Sequence, residues 1–368
     1  MPNKRPKPAG TQEPKGPTAA VLGLGQMGLV CAGLLAGNAG KRLPGGDGAG
    51  LGRVVMWGHS ADEAGRLAQG RRTPRLAGFV LPPDVVVAMK DELALQDATL
   101  IVSAIPVQYI REVWTRLAKH VRPDAAVLSV AKGIENETLL RPTQIIASVL
   151  AEAGRDNPDG KPRPIGCLSG PTIAAELARC LPAAMIAASD DAEFARQVQT
   201  RFGTSWMRIY TNPDVLGVEL AGAVKNVVAI AAGVVDGLQA GNNAKSALLA
   251  RGLAEITRLG VAMGANADTF FGIAGVGDLA TTCFSPEGRN RSLGEALGKG
   301  ETLEECLAKS PYVVEGVATA RSVAALGAKY RVEMPIAAAV HAILFEGVDP
   351  IEAIGQLMSR EPKPERVG

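Results

Sequence analysis

The stretch AGAVKNVVAIAAG, residues 221–233, constrains this chain more than any other part of it. Ala, Val, Ile and Gly flank Lys225 and Asn226 on both sides, so a helix through the stretch has no polar face. No rotation of such a helix puts both residues in open water without exposing a hydrophobic stripe. The segment must therefore be enclosed by a larger fold, and a lone enclosed ammonium costs several kcal/mol unless something pairs with it. Lys225 is either a neutralised core lysine or a group facing a polar cavity. Glu219 and Asp236 are the acids on the same apolar run, but neither lies three or four residues from Lys225, which weakens both as same-helix partners. Partners from elsewhere in the fold stay open. The interruptions by Glu219, Lys225, Asn226 and Asp236 also argue against a membrane span.

Bulk properties narrow the function classes. At 368 residues, with 47% hydrophobic residues, the chain should form about two domains with a large core. Lys plus Arg (39) nearly balance Asp plus Glu (37), and the net charge of +2 gives no footprint for nucleic acid or an acidic membrane surface. Aromatics at 4% leave few platforms for stacking bases. Cys31, Cys167, Cys180, Cys283 and Cys306 show no metal or redox spacing and read as small buried hydrophobes in a reducing cytosol. His59, His120 and His341 are too few and too dispersed for a zinc site, so no metal is expected. Residues 1–17 are rich in Pro, Gly and Lys and lack an apolar segment, which reads as a disordered tail and not a secretory signal. Residues 359–368 read as a second tail.

Between the tails the chain alternates short apolar runs with helical patterns. The runs are 18–25, 53–59, 85–88, 98–106, 125–133, 164–171, 183–189 and 206–210. Their Val and Ile content without strict alternation suggests strands covered on both faces. This predicts an α/β fold, a Rossmann-type doubly wound and mostly parallel sheet. After residue 211 the strand signals stop and Ala, Leu and Gly dominate. We expect a dinucleotide-binding domain over 18–210 and an all-α substrate domain over 211–358. The glycine-rich stretch 40–52 is long for a helix-to-strand connection.

Gly23-Leu24-Gly25-Gln26-Met27-Gly28 is a GxGxxG that follows the first strand and opens an apolar helix. Gly23 permits the tight turn, Gly25 lets backbone approach a pyrophosphate, and Gly28 lets helix pack on strand. The helix N-terminus then offers free N–H groups to the anion. The second strand ends at Trp57-Gly58-His59-Ser60, where an NAD-selective site usually places an acid. His59 stands there instead, so nothing obvious repels a 2′-phosphate and the cofactor expectation, NADP or NAD, leans to NADP. Lys132 lies at the end of a strand, where doubly wound sheets bind ligands. Taken alone it reads equally as a solvated loop lysine, and Thr172 after Gly170-Pro171 as a plain helix cap.

The ordered set GLGQMG, WGH, AKG, SGPTIAAEL, GAVKNVVAIAAG, GNNAKSALLARGLAE, AGVGDLATTC, GRNRSLG and VVEG resembles the bacterial-type NAD(P)-dependent glycerol-3-phosphate dehydrogenases. The resemblance covers residues 18 to 358 and implies a Rossmann domain, a helical domain and an active site between them. It implies that Lys225 is the catalytic acid/base. It assigns substrate contacts to Lys132, Gly170, Thr172, Lys225, Asp278, Gly288, Arg289 and Asn290. It assigns cofactor contacts to Gly23, Gly25, Gln26, Met27, Gly28, His59, Lys132, Ala174, Arg289, Val313 and Glu315. Three departures stand out: Gly288 where the family often has serine, Ala175 where many members have lysine, and the 40–52 stretch as an insertion. The implied partner is a triose phosphate, without nucleic acid and without a membrane span, with a homodimer and a cytoplasmic location among the expectations.

The implied reaction interconverts dihydroxyacetone phosphate and sn-glycerol 3-phosphate and supplies glycerophospholipid synthesis. Hydride arrival puts negative charge on the carbonyl oxygen, which a positioned, proton-bearing cation stabilises. Desolvation on an apolar helix lowers a lysine's pKa towards working pH. The planar guanidinium of Arg289, at the start of a predicted helix, suits a phosphate. Two alternatives share the architecture: a 3-hydroxyacid dehydrogenase, and a non-catalytic NADP(H)-binding sensor.

Overall fold

The apolar runs become eight strands in a single sheet: β1 Thr18–Leu22, β2 Arg53–Trp57, β3 Val85–Ala88, β4 Ala98–Ser103, β5 Ala126–Ser129, β6 Ile165–Ser169, β7 Ala183–Ser189 and β8 Met207–Asn212. This computed structural model describes residues 18–37, 51–156, 159–310, 312–362 and 364–365. The expected 1–17 tail, residues 40–50 of the glycine-rich stretch and part of the 359–368 tail lie outside the described residues. The strand order is β3-β2-β1-β4-β5-β6-β7-β8. All neighbours are parallel except β6 and β7. Residues alternate between the two faces of β1: Ala19 and Val21 pack into one core cluster with Met56 and Val102, and Ala20 and Leu22 into another with Val55 and Ile101. Both faces of β1 are thus buried, which is why it reads as a continuous apolar run, whereas β8 alternates buried and exposed residues.

Chain order reverses on either side of β1, between β2 and β4, and that reversal opens a crevice at the carboxyl ends of the strands. The β1 turn and the helix Gln26–Gly37 sit at its edge.

Beyond β8 the chain is helical among the described residues, as the sequence predicts. Its axis is the helix Val215–Gly237, whose most apolar window is 94% buried inside the fold. It is long and apolar enough to cross a membrane by those measures alone; here it is the core helix of the bundle. Around it pack Gly241–Met263, Asp278–Phe284, Arg289–Gly298 and Glu315–Tyr330. Against Arg289–Gly298 the contact is backbone on backbone. A Cβ at Gly233 would stand 1.9 Å from the Arg291 carbonyl oxygen, and one at Gly294 would stand 1.9 Å from that of Ile230. Glycine is the residue that permits such an approach.

The sheet half and the helical half are joined by buried polar contacts. Glu219, 4% exposed, accepts from the Arg141 guanidinium at 2.6 Å and from the Thr143 backbone N–H and hydroxyl at 2.9 and 2.7 Å. Ser322 Oγ donates to the Ile134 carbonyl at 2.9 Å. Glu219 is therefore committed elsewhere and does not neutralise Lys225.

Candidate active site

The glycine turn after β1 has the form its sequence predicts. Gly23 takes φ +117°, in the region that favours glycine, and a Cβ on it would stand 2.5 Å from the Ala104 carbonyl oxygen. A Cβ on Gly28 would stand 2.1 Å from the Gly23 carbonyl oxygen, so helix and turn touch directly. Gly25 differs: a Cβ there would meet nothing within 4 Å. The turn is thus packed on its inner side and open at the middle glycine, where the first-turn N–H groups of Gln26–Gly37 face outward. The Gln26 side-chain amide donates to the Arg75 carbonyl at 2.8 Å, and Arg75 pairs with Glu63. Met27 packs partly buried against the core, and His59 is exposed at the tip of β2. The geometry fits a dinucleotide, with the open middle of the turn as the place for a pyrophosphate.

The chemical centre lies where the two halves meet. Lys132, from the loop after β5, donates to the Gly170 carbonyl at 2.8 Å, to Thr172 Oγ1 at 3.2 Å and to Asp278 Oδ2 at 2.6 Å. Lys225 donates to Asp278 Oδ1 at 2.6 Å and to Thr282 Oγ1 at 2.5 Å. One carboxylate, 1% exposed, therefore holds two ammonium groups, one from each half of the molecule. Thr282 donates its own proton to the Asp278 carbonyl at 2.7 Å, which turns its lone pairs to Lys225. Asp278 opens the helix Asp278–Phe284 just after a π-helical turn, Ile273–Gly277, a distortion frequent at functional sites.

Lys225 is more enclosed than an ammonium facing an open cleft, at 6% exposure. Burial is the main reason its pKa falls from 10.5 to about 8; Asp278 opposes the fall and the Lys132 charge adds to it. The acids weighed from its own helix are engaged elsewhere: Glu219 with Arg141, and Asp236 with Lys245 and Arg291.

Around this pair the remaining residues gather. The Glu315 carboxyl is raised above the usual range by burial and lies within electrostatic reach of Arg289, Lys132 and Lys225. Its neighbour Gly316 accepts no side chain: a Cβ there would stand 2.6 Å from Asn290 Oδ1 and 2.8 Å from the Asn226 carbonyl oxygen. Asn290 Oδ1 accepts from the Gly316 N–H at 2.9 Å. Arg289 is exposed, donates to the Val313 carbonyl at 2.9 Å and lies over the Tyr312 ring at 6.0 Å. Gly288 caps this helix with no side-chain bond. Ala174 begins the short helix Ala174–Ala178 and is buried in the sheet core. Thr172 is not a cap, since that helix starts after Ile173 and the hydroxyl faces Lys132.

Thus Lys132, Gly170, Thr172, Lys225 and Asp278 form one bonded network, with Glu315, Arg289 and Asn290 adjoining it. Gly23, Gly25, Gln26, Met27, Gly28 and His59 form a second group at the tips of β1 and β2. Arg75 accepts from Gln26 through its backbone carbonyl and pairs with Glu63. Thr282 was not singled out from the sequence. Its place one helical turn after Asp278 is the signal that finds it, once the AGVGD stretch is seen as the entry to a helix and not a free turn. Among the described residues no group of histidine, cysteine and acids has the makings of a metal site.

Comparison with known proteins places the chain in a family. Residues 18–195 match the family described as NAD-dependent glycerol-3-phosphate dehydrogenase N-terminus, and residues 214–355 match the corresponding C-terminus. The chain is 45% identical over 309 residues to a glycerol-3-phosphate dehydrogenase [NAD(P)+] of Pelotomaculum thermopropionicum, covering 84% of this chain and 86% of that one. It is 41% identical over 349 residues to glycerol-3-phosphate dehydrogenase [NAD(P)+] 2 of Mycobacterium bovis, covering 95% and 98%. The crystal structure of glycerol-3-phosphate dehydrogenase from Coxiella burnetii superposes with a TM-score of 0.84 at 32% identity, covering 94% of this chain and 99% of that one.

Proposed function

The chain belongs to the NAD-dependent glycerol-3-phosphate dehydrogenases, and from that membership we propose how its residues divide the work. The enzyme is an oxidoreductase that uses NAD(P)H to reduce dihydroxyacetone phosphate to sn-glycerol 3-phosphate, a reaction of lipid metabolism. The hydroxyacid and non-catalytic sensor readings are not favoured.

Residues 18–210 hold the nucleotide and 211–358 the substrate. The bound nicotinamide supplies the hydride. The turn of Gly23, Gly25 and Gly28, open at Gly25, would hold the pyrophosphate with the N-terminus of Gln26–Gly37; Gln26, Met27, His59, Lys132, Ala174, Arg289, Val313 and Glu315 would line the rest. With His59 and no carboxylate at the tip of β2, the 2′-phosphate of NADP meets no repulsion.

Lys225 gives its proton to the carbonyl oxygen as charge develops there, and takes one back from the alcohol in the reverse direction. A pKa of about 8 makes both transfers accessible near neutral pH. Lys132 and Asp278 keep Lys225 in place, and Lys132 also keeps it acidic by repulsion. Arg289, Asn290 and the N-terminus of Arg289–Gly298 hold the phosphate. Gly170, Thr172 and Gly288 line the substrate's remaining sides.

The observation that carries this reading is the single buried carboxylate shared by Lys132 and Lys225. Initial rates with NADH and NADPH, each against dihydroxyacetone phosphate, test it together with Lys225→Ala. A Lys225→Ala protein that keeps near-normal kcat removes the mechanism. Two finer expectations accompany it, a cytoplasmic location and a homodimer. Light scattering of the purified chain tests the second, and a monomeric mass rejects it.

A further inference from the structure

The motif GNNAKSALLARGLAE contributes nothing to the centre above, yet it supplies the second buried cation of the helical half. Lys245 is 6% exposed and donates to both oxygens of Asp236 at 2.9 and 2.7 Å. Asp236 also accepts from Arg291 Nε at 2.6 Å. The Lys245 ammonium sits 4.8 Å from the centre of the Phe284 ring, at the end of the helix that carries Asp278 and Thr282. Four helices meet on this cluster, and three of them bear candidate active-site residues.

The position of Arg291 gives the cluster its meaning. It follows Arg289 and Asn290 directly, in the first turn of Arg289–Gly298. That helix lies on Val215–Gly237 through glycines, and the Arg291 carbonyl oxygen itself presses on Gly233. The glycines let the two helices approach closely, and Leu293 and Leu297 of the same helix are buried with Ile230 and Val234 in one core cluster. Gly288 adds no side-chain cap to hold the helix start. The ion pair from Arg291 to Asp236 adds a directional polar tie between the two helices in the turn that carries Arg289 and Asn290.

We propose that Asp236, Lys245 and Arg291 form a positioning clamp that sets the helix start carrying Arg289 and Asn290, and so tunes affinity for the substrate's phosphate without touching it. This rests on the reading of Arg289 and Asn290 as the phosphate end. Lys245 holds Asp236 oriented through both carboxylate oxygens, and Asp236 holds Arg291.

Arg291→Gln tests the clamp while leaving the Asp236–Lys245 pair intact. Calorimetry with inorganic phosphate should show a Kd raised about tenfold, matched by a similar rise in KM for dihydroxyacetone phosphate. KM for NADPH should rise far less than that for dihydroxyacetone phosphate, the pH at which Lys225 titrates should not move, and Arg291→Lys should recover part of the loss. A folded Arg291→Gln protein with parental phosphate affinity overturns the proposal. So does one that loses NADPH affinity to the same degree, which would mark general loosening. If Arg291→Gln does not fold, Asp236→Glu is read by the same titration, with the same split expected and parental affinity again decisive against it. A parent protein that binds phosphate no better than Arg289→Ala overturns the phosphate-end reading itself, and a parent that binds phosphate but lacks turnover overturns the catalytic reading alone.

Discussion

The helix Val215–Gly237 carries two charge clusters of similar make-up, each with two cations on one aspartate. At Asp278 the cations are Lys132 and Lys225; at Asp236 they are Lys245 and Arg291. The first aspartate has 1% of its side chain exposed and the second 20%. In the first, burial and a second ammonium bring a lysine to about pKa 8. In the second, one partner is an arginine, which cannot release a proton at working pH. The same ionic motif thus serves proton transfer where it is sealed and built from lysines, and fixed geometry where it is partly wet and includes a guanidinium.

Substitutions can break that contrast. Lys225→Ala should lower kcat by about 10²–10⁴-fold, measured with saturating dihydroxyacetone phosphate, while cofactor binding by fluorescence titration is kept. Next in size is Asp278→Asn, expected to lower kcat roughly 10²-fold. It leaves two ammoniums without their carboxylate, so Lys225 should titrate at a lower pH than in the parent. An unchanged pH profile would show that Asp278 does not set the proton donor.

The parent profile fixes the sign. Reduction needs protonated Lys225, so kcat/KM for dihydroxyacetone phosphate should be full below about pH 8 and fall above it; oxidation of glycerol 3-phosphate should rise through the same value. A limb that persists in Lys225→Arg would belong to another group.

Stability should divide the clusters as well. Lys225 has a folded pKa below its unfolded one, so its charged form costs stability at neutral pH and the cost is relieved as pH rises from about 8 towards 10.5. Lys225→Met should therefore stabilise the fold at pH 7 by about 2 kcal/mol in thermal unfolding. Asp236→Asn should destabilise it by a similar amount, about 2 kcal/mol, because it leaves Lys245 enclosed without a counter-charge. Equal and like-signed effects would erase the distinction between the clusters. The smallest change expected is Gly288→Ser. Its Cβ would stand 3.1 Å from the Thr282 carbonyl oxygen, so added capping and crowding should nearly cancel, within a few tenths of a kcal/mol. A titration with phosphate reads the balance directly.

The sheet was legible because its signal is local. Runs such as LIVS at 100–103 are buried on successive residues, as a central strand covered on both sides requires. The GxGxxG turn was legible for the same reason, since strand, turn and helix are contiguous. Within the site, residue types were legible through the family motifs, but their bonding was not. Asp278 lies 53 residues from Lys225 and 146 from Lys132, and nothing in the chain states that both reach it. Helical spacing did tell that Asp236 and Glu219 are poor partners for Lys225. It could not tell what they bind instead, because Lys245, Arg291 and Arg141 arrive from other elements.

The bond between Lys132 and Asp278 crosses from the sheet half to the helical half, and so makes acidity depend on how tightly the seam is shut. With the seam closed, Lys132 divides the carboxylate's attention and pushes protons off its twin. Were the halves to part, Asp278 would belong to Lys225 alone, and that ammonium would grip its proton harder. The acid would thus be strongest with the halves in contact, where burial and Lys132 both act on Lys225.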